Sequence, residues 1–336
     1  ETLYHELHGA LRESYHGAVA RAIARGENRA GAPPDELAGP LATRIAYHAL
    51  RGDDPEPGLA MAPRALRYLW ASHDTERQHE ISTALLSIGD GLPPPLRAQA
   101  LLHLANAALE SEPATAVLGH VDEAVGLLGD AVDPFVAPRL SAIRAFLMRG
   151  LGRYDEALAE YDRGLALARE VGDVAHEAHV LRGRGGALRQ LGRHEESLAA
   201  IKASLTTALA CGSVEEECSA RNSLAIRLVA IGAHTIALDM YDGALASARA
   251  CGKRGTECTV LNNMARTLLL LGRLDEAEHH NAESLAVARE LGHLQLESRA
   301  LIERALIREA RGQYADAATD QEAAARMVEA KEWWEE

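Results

Sequence analysis

The side chains that can do chemistry fall into four groups, and three of them have nothing to work with. His176-Glu177-Ala178-His179 places two imidazoles on one helix face, half of a metal site, but no third ligand accompanies them. His5 with His8 has the same weakness, and His279-His280 point to different sides of a helix. Cys211, Cys218, Cys251 and Cys258 form two Cys-x6-Cys pairs, whereas zinc knuckles are spaced Cys-x2–4-Cys. Equivalent positions hold Val171, Ala178, Leu291 and Ser298, so the cysteines read as small packing residues. The acidic pairs Asp155-Glu156, Glu195-Glu196 and Asp275-Glu276 stand at helix starts, where the helix dipole favours them. Cys251-Gly252-Lys253 lacks the first glycine and the Ser/Thr of a phosphate loop, and kinase, Gly-x-Ser-x-Gly and His-Glu-x-x-His signatures do not occur. No catalytic residue, metal or cofactor is therefore expected in this stretch. The fourth group is arginine and asparagine. A carboxamide can bond the N–H and C=O of an extended peptide together, and a guanidinium can grip a carboxylate with two hydrogen bonds.

A repeat spaces these residues. Leu151-Gly-Arg-Tyr-Asp-Glu-Ala-Leu returns with variations, and its glycines, Gly152, Gly192, Gly232, Gly272 and Gly312, are 40 residues apart. Gly172, Gly212, Gly252 and Gly292 sit halfway between with the same step. Each unit reads as two helices. Helix A runs up to the first glycine, and helix B begins three residues later and ends at the second, where glycine suits the left-handed position past a helix end. Small residues recur in mid helix A (Ala145, Gly185, Ala225, Ala265, Ala305) and early helix B (Ala157, Ser197, Ala237, Ala277, Ala317). Leu165, Leu205, Leu245 and Leu285 fill later helix B. A hairpin of this kind buries its apolar stripe only by stacking on its neighbours.

The expected architecture is all-α, a right-handed superhelix of stacked antiparallel helix hairpins. Residues 1–92 form an irregular helical segment and 93–336 an array of one degenerate and five 40-residue units. Four N-terminal helices are read over about 1–26, 35–50, 58–72 and 75–88, with a loop at Gly31–Pro34 and with Pro63 near the start of the third or kinking it. The proline-rich run Gly89–Pro95 marks the boundary. A net charge of −14, from 35 Lys+Arg against 49 Asp+Glu, argues against nucleic-acid and anionic-membrane partners. No apolar run approaches the roughly 20 residues that span a bilayer, and no signal-peptide pattern opens the chain, so a cytoplasmic location is expected. A first residue of Glu1 rather than Met suggests a piece of a longer protein.

These columns resemble the tetratricopeptide repeat. The pairs Leu224-Ala225 and Met264-Ala265 fit its large–small step in helix A, and Tyr161 and Tyr241 fit its aromatic in helix B. The unit is longer than the usual 34 residues and is similar to the long repeats of kinesin light chain and of bacterial STAND-type signalling ATPases. Arg144, Arg184 and Arg304 depart from it where a large apolar residue is usual, as do Asn281 and Gln321 at the aromatic position. Nearer the start, Leu7-His8-Gly-Ala-Leu, Arg44-Ile-Ala-Tyr-His-Ala-Leu-Arg-Gly-Asp and Arg64-Ala-Leu-Arg-Tyr-Leu look like the helical segment that joins a STAND ATPase core to its repeats. That resemblance implies an upstream NTPase, kinase or transcription regulator, and a sensor or scaffold role for this part of a signalling protein.

In stacked hairpins helix A lines the concave face, and this register aims a strip of side chains inward. The candidate binding residues are His179, Arg182, Arg189, Asn222, Asn262, Asn263, Arg266 and Arg299, with Ser223 flanking. In the repeat family similar Asn and Arg/Lys ladders clamp peptides, which is what the resemblance implies for Asn222, Asn262 and Arg266. The expected partner is a protein or peptide, acidic in character, or an upstream domain of the same chain. Two other readings stand beside it. The arginines bridge to acids of neighbouring helices, or the array is an autoinhibitory brace or oligomerisation surface, with Trp333-Trp334 capping its end or docking on a partner.

Overall fold

The computed structural model describes residues 9–26, 37–109, 111–129 and 133–335, with side chains through Met327. His5, His8, Leu7, the Gly31–Pro34 loop and the side chains of Trp333 and Trp334 lie outside the described residues. The described chain is an all-α helical repeat fold of sixteen α-helices and one 3-10 turn, and none of its helices is long and apolar enough to cross a membrane. Residues 1–171 and 172–336 are two compact units.

The first unit holds α1 (Gly9–Gly26), α2 (Gly39–Ala49), α3 (Glu56–Ala71), α4 (Thr75–Leu86), a 3-10 turn at Gly89–Gly91, α5 (Pro94–Ala108), α6 (Ala114–Leu128), α7 (Val136–Gly150) and α8 (Tyr154–Glu170). Pro63 lies in the interior of α3 rather than at its start, so it withholds one helix hydrogen bond. Asp74 caps α4 by accepting from the Arg77 N–H, one of the donors a helix start leaves unpaired. Ala46, Leu66, Leu69, Ile81 and Leu85 form one core, and Leu101, Leu102, Val117, Val121 and Leu140 another.

The second unit is four hairpins. They are α9 (Val174–Gln190) with α10 (His194–Cys211), α11 (Val214–Ala230) with α12 (His234–Ala250), α13 (Arg254–Leu270) with α14 (Leu274–Glu290), and α15 (Leu294–Ala310) with α16 (Tyr314–Glu335). Every glycine of both series has positive φ, from 63° to 81°, and a Cβ at any of them would meet nothing within 4 Å. Glycine is required there by the backbone angle and not by space. After α9 the Arg193 N–H reaches back to the Leu188 carbonyl and that of Gly192 to Arg189, closing the helix end.

The small columns do what their spacing predicts. Ala225, Ala265, Ala305, Ala237 and Ala277 are fully buried where the helices of a hairpin cross. Gly185 marks a close crossing: a Cβ there would stand 2.6 Å from Ile201 Cγ1, and Ser197 Oγ donates to the Gly185 carbonyl at 2.7 Å. The departures from the repeat pattern also find partners. Arg304 donates to Asp320, sixteen residues on, through Nε at 2.9 Å and Nη2 at 2.6 Å, and in the first unit Arg144 reaches Glu160 across the same step. At the same step the sequence has Leu224 with Met240 and Met264 with His280, so an ion pair stands where the α11–α12 hairpin has two apolar residues. Asn281, in the aromatic column, is buried and donates to the Ala300 carbonyl at 2.9 Å.

Candidate functional site

The A helices of the second unit, α9, α11, α13 and α15, pack side by side. One polar contact shows how they meet. Asn263 Nδ2 on α13 donates to Asn222 Oδ1 on α11 at 3.0 Å, a step of 41 residues. Charged contacts run on a step of 37: His179 Nδ1 lies 3.2 Å from Glu216 Oε1, and Arg266 Nη1 lies 3.9 Å from Glu303 Oε2. The two steps are one repeat plus a residue and one repeat less a turn, as expected of neighbouring helices in phase.

These contacts divide the eight candidates. His179 and Arg182 are engaged within the protein. Arg182 Nη2 is 3.1 Å from His179 Nδ1, and its Nε is 3.8 Å from Glu216 Oε2. The imidazole nitrogen donates to the carboxylate or accepts from the guanidinium, but not both at once. Burial pushes the Glu216 carboxyl up, yet the hydrogen bond and charge of His179, and then Arg182, outweigh it and hold the group below the usual carboxylate range. Asn222 and Asn263 are joined to each other. Asn262 is half-buried, and its Oδ1 has no donor. The Arg266 side chain is 67% exposed, and 3.9 Å to Glu303 is beyond hydrogen-bond reach. Arg189 and Arg299 are exposed, and among the described residues neither meets an acid.

Two residues of the site, and a third beside it, were not anticipated from sequence. Glu216 and Glu303 are the acids one step of 37 beyond His179 and Arg266, and a search for opposite charges at that step would have found both. Arg227 is the third. It is half-buried on α11, without a hydrogen bond or ion pair among the described residues, and burial followed by the charge of Arg189 lowers its pKa. Ile226 and Ile302 belong to the same inward columns and are 39% and 45% exposed. The strip therefore offers unpaired cations, carboxamides and open apolar side chains.

Elsewhere the chemistry is structural. Cys218 Sγ donates to the Ala244 carbonyl and Cys258 Sγ to that of Ser284, at 3.2 and 3.3 Å, and Ser298 Oγ makes the same contact to Ala324 at 3.2 Å. Small donors at this column tie helix A to helix B, which is the packing role read from the sequence. The His176 and His179 rings stack with centroids 5.5 Å apart, and no cluster of three or more His, Cys, Asp or Glu among the described residues is placed to hold a metal ion. A cleft of about 340 Å³ in the first unit is lined by both signs of charge, Arg44 and Arg77 with Glu76 and Glu80.

Residues 140–210 and 215–290 match the tetratricopeptide repeat. No curated protein matches the sequence. Among solved structures, the chain is similar to BtubC (BKLC) from P. vanneervenii, with 18% identity over 70% of this chain and 92% of that one and a TM-score of 0.52. A STAND signal-transduction ATPase with a tetratricopeptide repeat sensor from Pyrococcus horikoshii aligns at 15% identity over 94% of this chain, TM-score 0.57. This chain spans 53% of that ATPase's length. NprR in complex with its cognate peptide NprX aligns at 16% identity over 77% of this chain and 75% of that one, TM-score 0.56. At these identities the likeness is one of fold.

Proposed function

We propose that this tetratricopeptide-repeat protein is a binding module that captures an extended, acidic protein segment on the A-helix strip of its second unit, as the sensor or scaffold part of a larger signalling protein. The observation that carries the reading is the unpaired cationic charge of Arg189 and Arg299. In a chain with 14 more acids than bases, exposed arginines on this strip that meet no acid attract carboxylates. Asn222 and Asn262 supply carboxamides for the backbone of the captured segment, and Ile226 and Ile302 supply apolar footing. His179 and Arg182 are secondary, because His179 already contacts Glu216 and Arg182 contacts His179. Four A helices at roughly 8–10 Å per step span roughly 24–30 Å, which eight or nine extended residues cover at about 3.3 Å each. Two relatives in fold agree with this use: NprR is described with a bound peptide, and the STAND ATPase has a repeat sensor.

Calorimetric titration with octaglutamate and octalysine tests the reading. Octaglutamate is expected to bind, and Arg189→Ala with Arg299→Ala to weaken it about tenfold while circular dichroism stays unchanged. Equal affinity for octalysine, or no loss in the double variant, refutes it.

A second reading has its own observation. Arg153, Arg193 and Arg273 each fork onto the glutamate three residues on, but the α11–α12 hairpin has Ala233 and Ile236 at those positions. Ile231 and Ile236 are 65% and 56% exposed there. An apolar break in a charged edge suits self-association or an internal brace. Light scattering across concentrations decides, with assembly lost in Ile231→Arg with Ile236→Glu.

A further inference from the structure

The most unusual ionisable group in the second unit is Glu303 on α15. Its carboxyl is buried, and Oε1 has no hydrogen-bond partner. The register explains why. Glu303 stands 41 residues beyond Asn262, the step by which Asn222 receives the Asn263 hydrogen bond. There the pairing is donor to acceptor. At Asn262 and Glu303 the two buried atoms left without a donor, Oδ1 and Oε1, are both acceptors. An ionised carboxylate has no proton to offer, and a protonated one has just the O–H that Asn262 lacks.

Three helices pack on α15, namely α13, α14 and α16. From α13 comes Arg266, 3.9 Å away. On α16, Asp320 is taken by Arg304 and Arg308. On α14, Asp275 and Glu278 are taken by Arg311, Glu276 by Arg273, Glu283 by Arg249 and His279, and Glu290 by Arg254. Burial pushes the Glu303 carboxyl up, and Arg266 is the one charge that opposes it. Arg266 is also a member of the binding strip.

We propose that Arg266 and Glu303 form a proton-linked latch: an anionic group of the bound segment takes Arg266, and Glu303, losing its cation, takes up a proton from solvent and donates it to Asn262 Oδ1. The bond formed is one O–H, and the charge brought in by the ligand replaces the charge neutralised on Glu303. Binding of acidic segments then strengthens as pH falls, because a proton already on Glu303 leaves Arg266 free. This inference rests on the peptide-binding reading and adds the coupling to it.

Titration of the full chain with octaglutamate at pH 7, in phosphate and in Tris, reads the coupling directly. The two buffers differ in ionisation enthalpy, so the difference in observed heat counts protons. The peptide is ionised at this pH, and uptake therefore belongs to the protein. The expected result is net proton uptake in the wild type and none with Glu303→Gln, whose affinity is about two- to fivefold tighter and flat from pH 8 to 6. Uptake that persists with Glu303→Gln assigns the proton to another group, such as His179, and overturns the latch. Binding with no proton uptake overturns the latch and leaves the strip intact. Absence of binding in both wild type and Glu303→Gln overturns the latch together with the acidic-ligand reading. Should Glu303→Gln lose helical content, the wild-type proton count and its pH dependence decide alone.

Discussion

The ion pair between Arg304 and Asp320 permits a test in which the repeat supplies its own control. Asp320 has a side chain only 4% exposed, and it accepts from Arg304 Nε and Nη2 and from Arg308 Nη1, the last at 2.7 Å. Replacing Asp320 by Met leaves two guanidiniums without their carboxylate. Breaking a buried pair from one side costs about 3–5 kcal/mol. Both arginines are about a quarter exposed and recover some water, so about 2–3 kcal/mol is expected here. Arg304→Leu alone leaves Asp320 its Arg308 bond and costs about 1–2 kcal/mol. The double variant recreates the Leu224 and Met240 pairing of the second hairpin, and replacing both partners with apolar groups of similar volume should bring the loss to within about 1 kcal/mol. The coupling is then roughly 2–4 kcal/mol in favour of the double variant. Urea unfolding measures the four corners of the cycle, and hydrogen exchange in α16 separates local opening of the last hairpin from global unfolding. Additivity of the two single variants within about 0.5 kcal/mol would show that the side chains do not act as a pair, and the account of Arg304 as a swapped core position would fall.

Three further outcomes are expected. Gly185→Ala places a Cβ 2.6 Å from Ile201 Cγ1 and should cost about 1–3 kcal/mol in urea unfolding, with part of the loss recovered by adding Ile201→Val. The Glu216 carboxyl is held below its ordinary value, so its contribution is present above the unfolded pKa and fades as pH falls through the folded one. Thermal melts should show the deficit of Glu216→Gln at pH 6–7 and its disappearance in acid below about 4.5; a deficit that grows on acidification contradicts the sign. Burial pushes the Cys218 thiol up to about 11 and raises that of Cys258, whereas Cys211 is exposed. Iodoacetamide at pH 8 should therefore label Cys211 in the folded protein and reach Cys218 and Cys258 only after unfolding, as read by mass spectrometry.

The hairpin architecture was legible because its determinants are local and repeated. A glycine at positive φ closes each helix, and that requirement shows in the sequence nine times at fixed spacing. Cys218 and Cys258 read as packing residues because sister repeats carry Ala178 and Ser298 there, and their thiols do bond the neighbouring helix. The departures Arg304 and Asn281 were visible as departures, but their partners were not, since Asp320 and the Ala300 carbonyl belong to other helices.

The same division runs through the candidate strip. Spacing of 40 residues is enough to place Arg182, Asn222 and Asn262 in one column of helix A, because a helix repeats its faces every 3.6 residues and a hairpin repeats its helices. Which of those side chains is already satisfied depends on where the next A helix comes to lie. That position emerges from packing, and it appears as the steps of 37 and 41 that bring Glu216 to His179, Glu303 to Arg266 and Asn263 to Asn222. Charge balance along the chain says nothing about it, for a buried carboxylate and an exposed one count alike in a net charge of −14. The helices, turns and faces follow from short-range chemistry written in order along the chain. The distinction between an arginine held by Glu216 and an arginine open to a ligand follows from three-dimensional packing, because hydrogen bonds and desolvation act over a few ångströms in space whatever the distance in sequence.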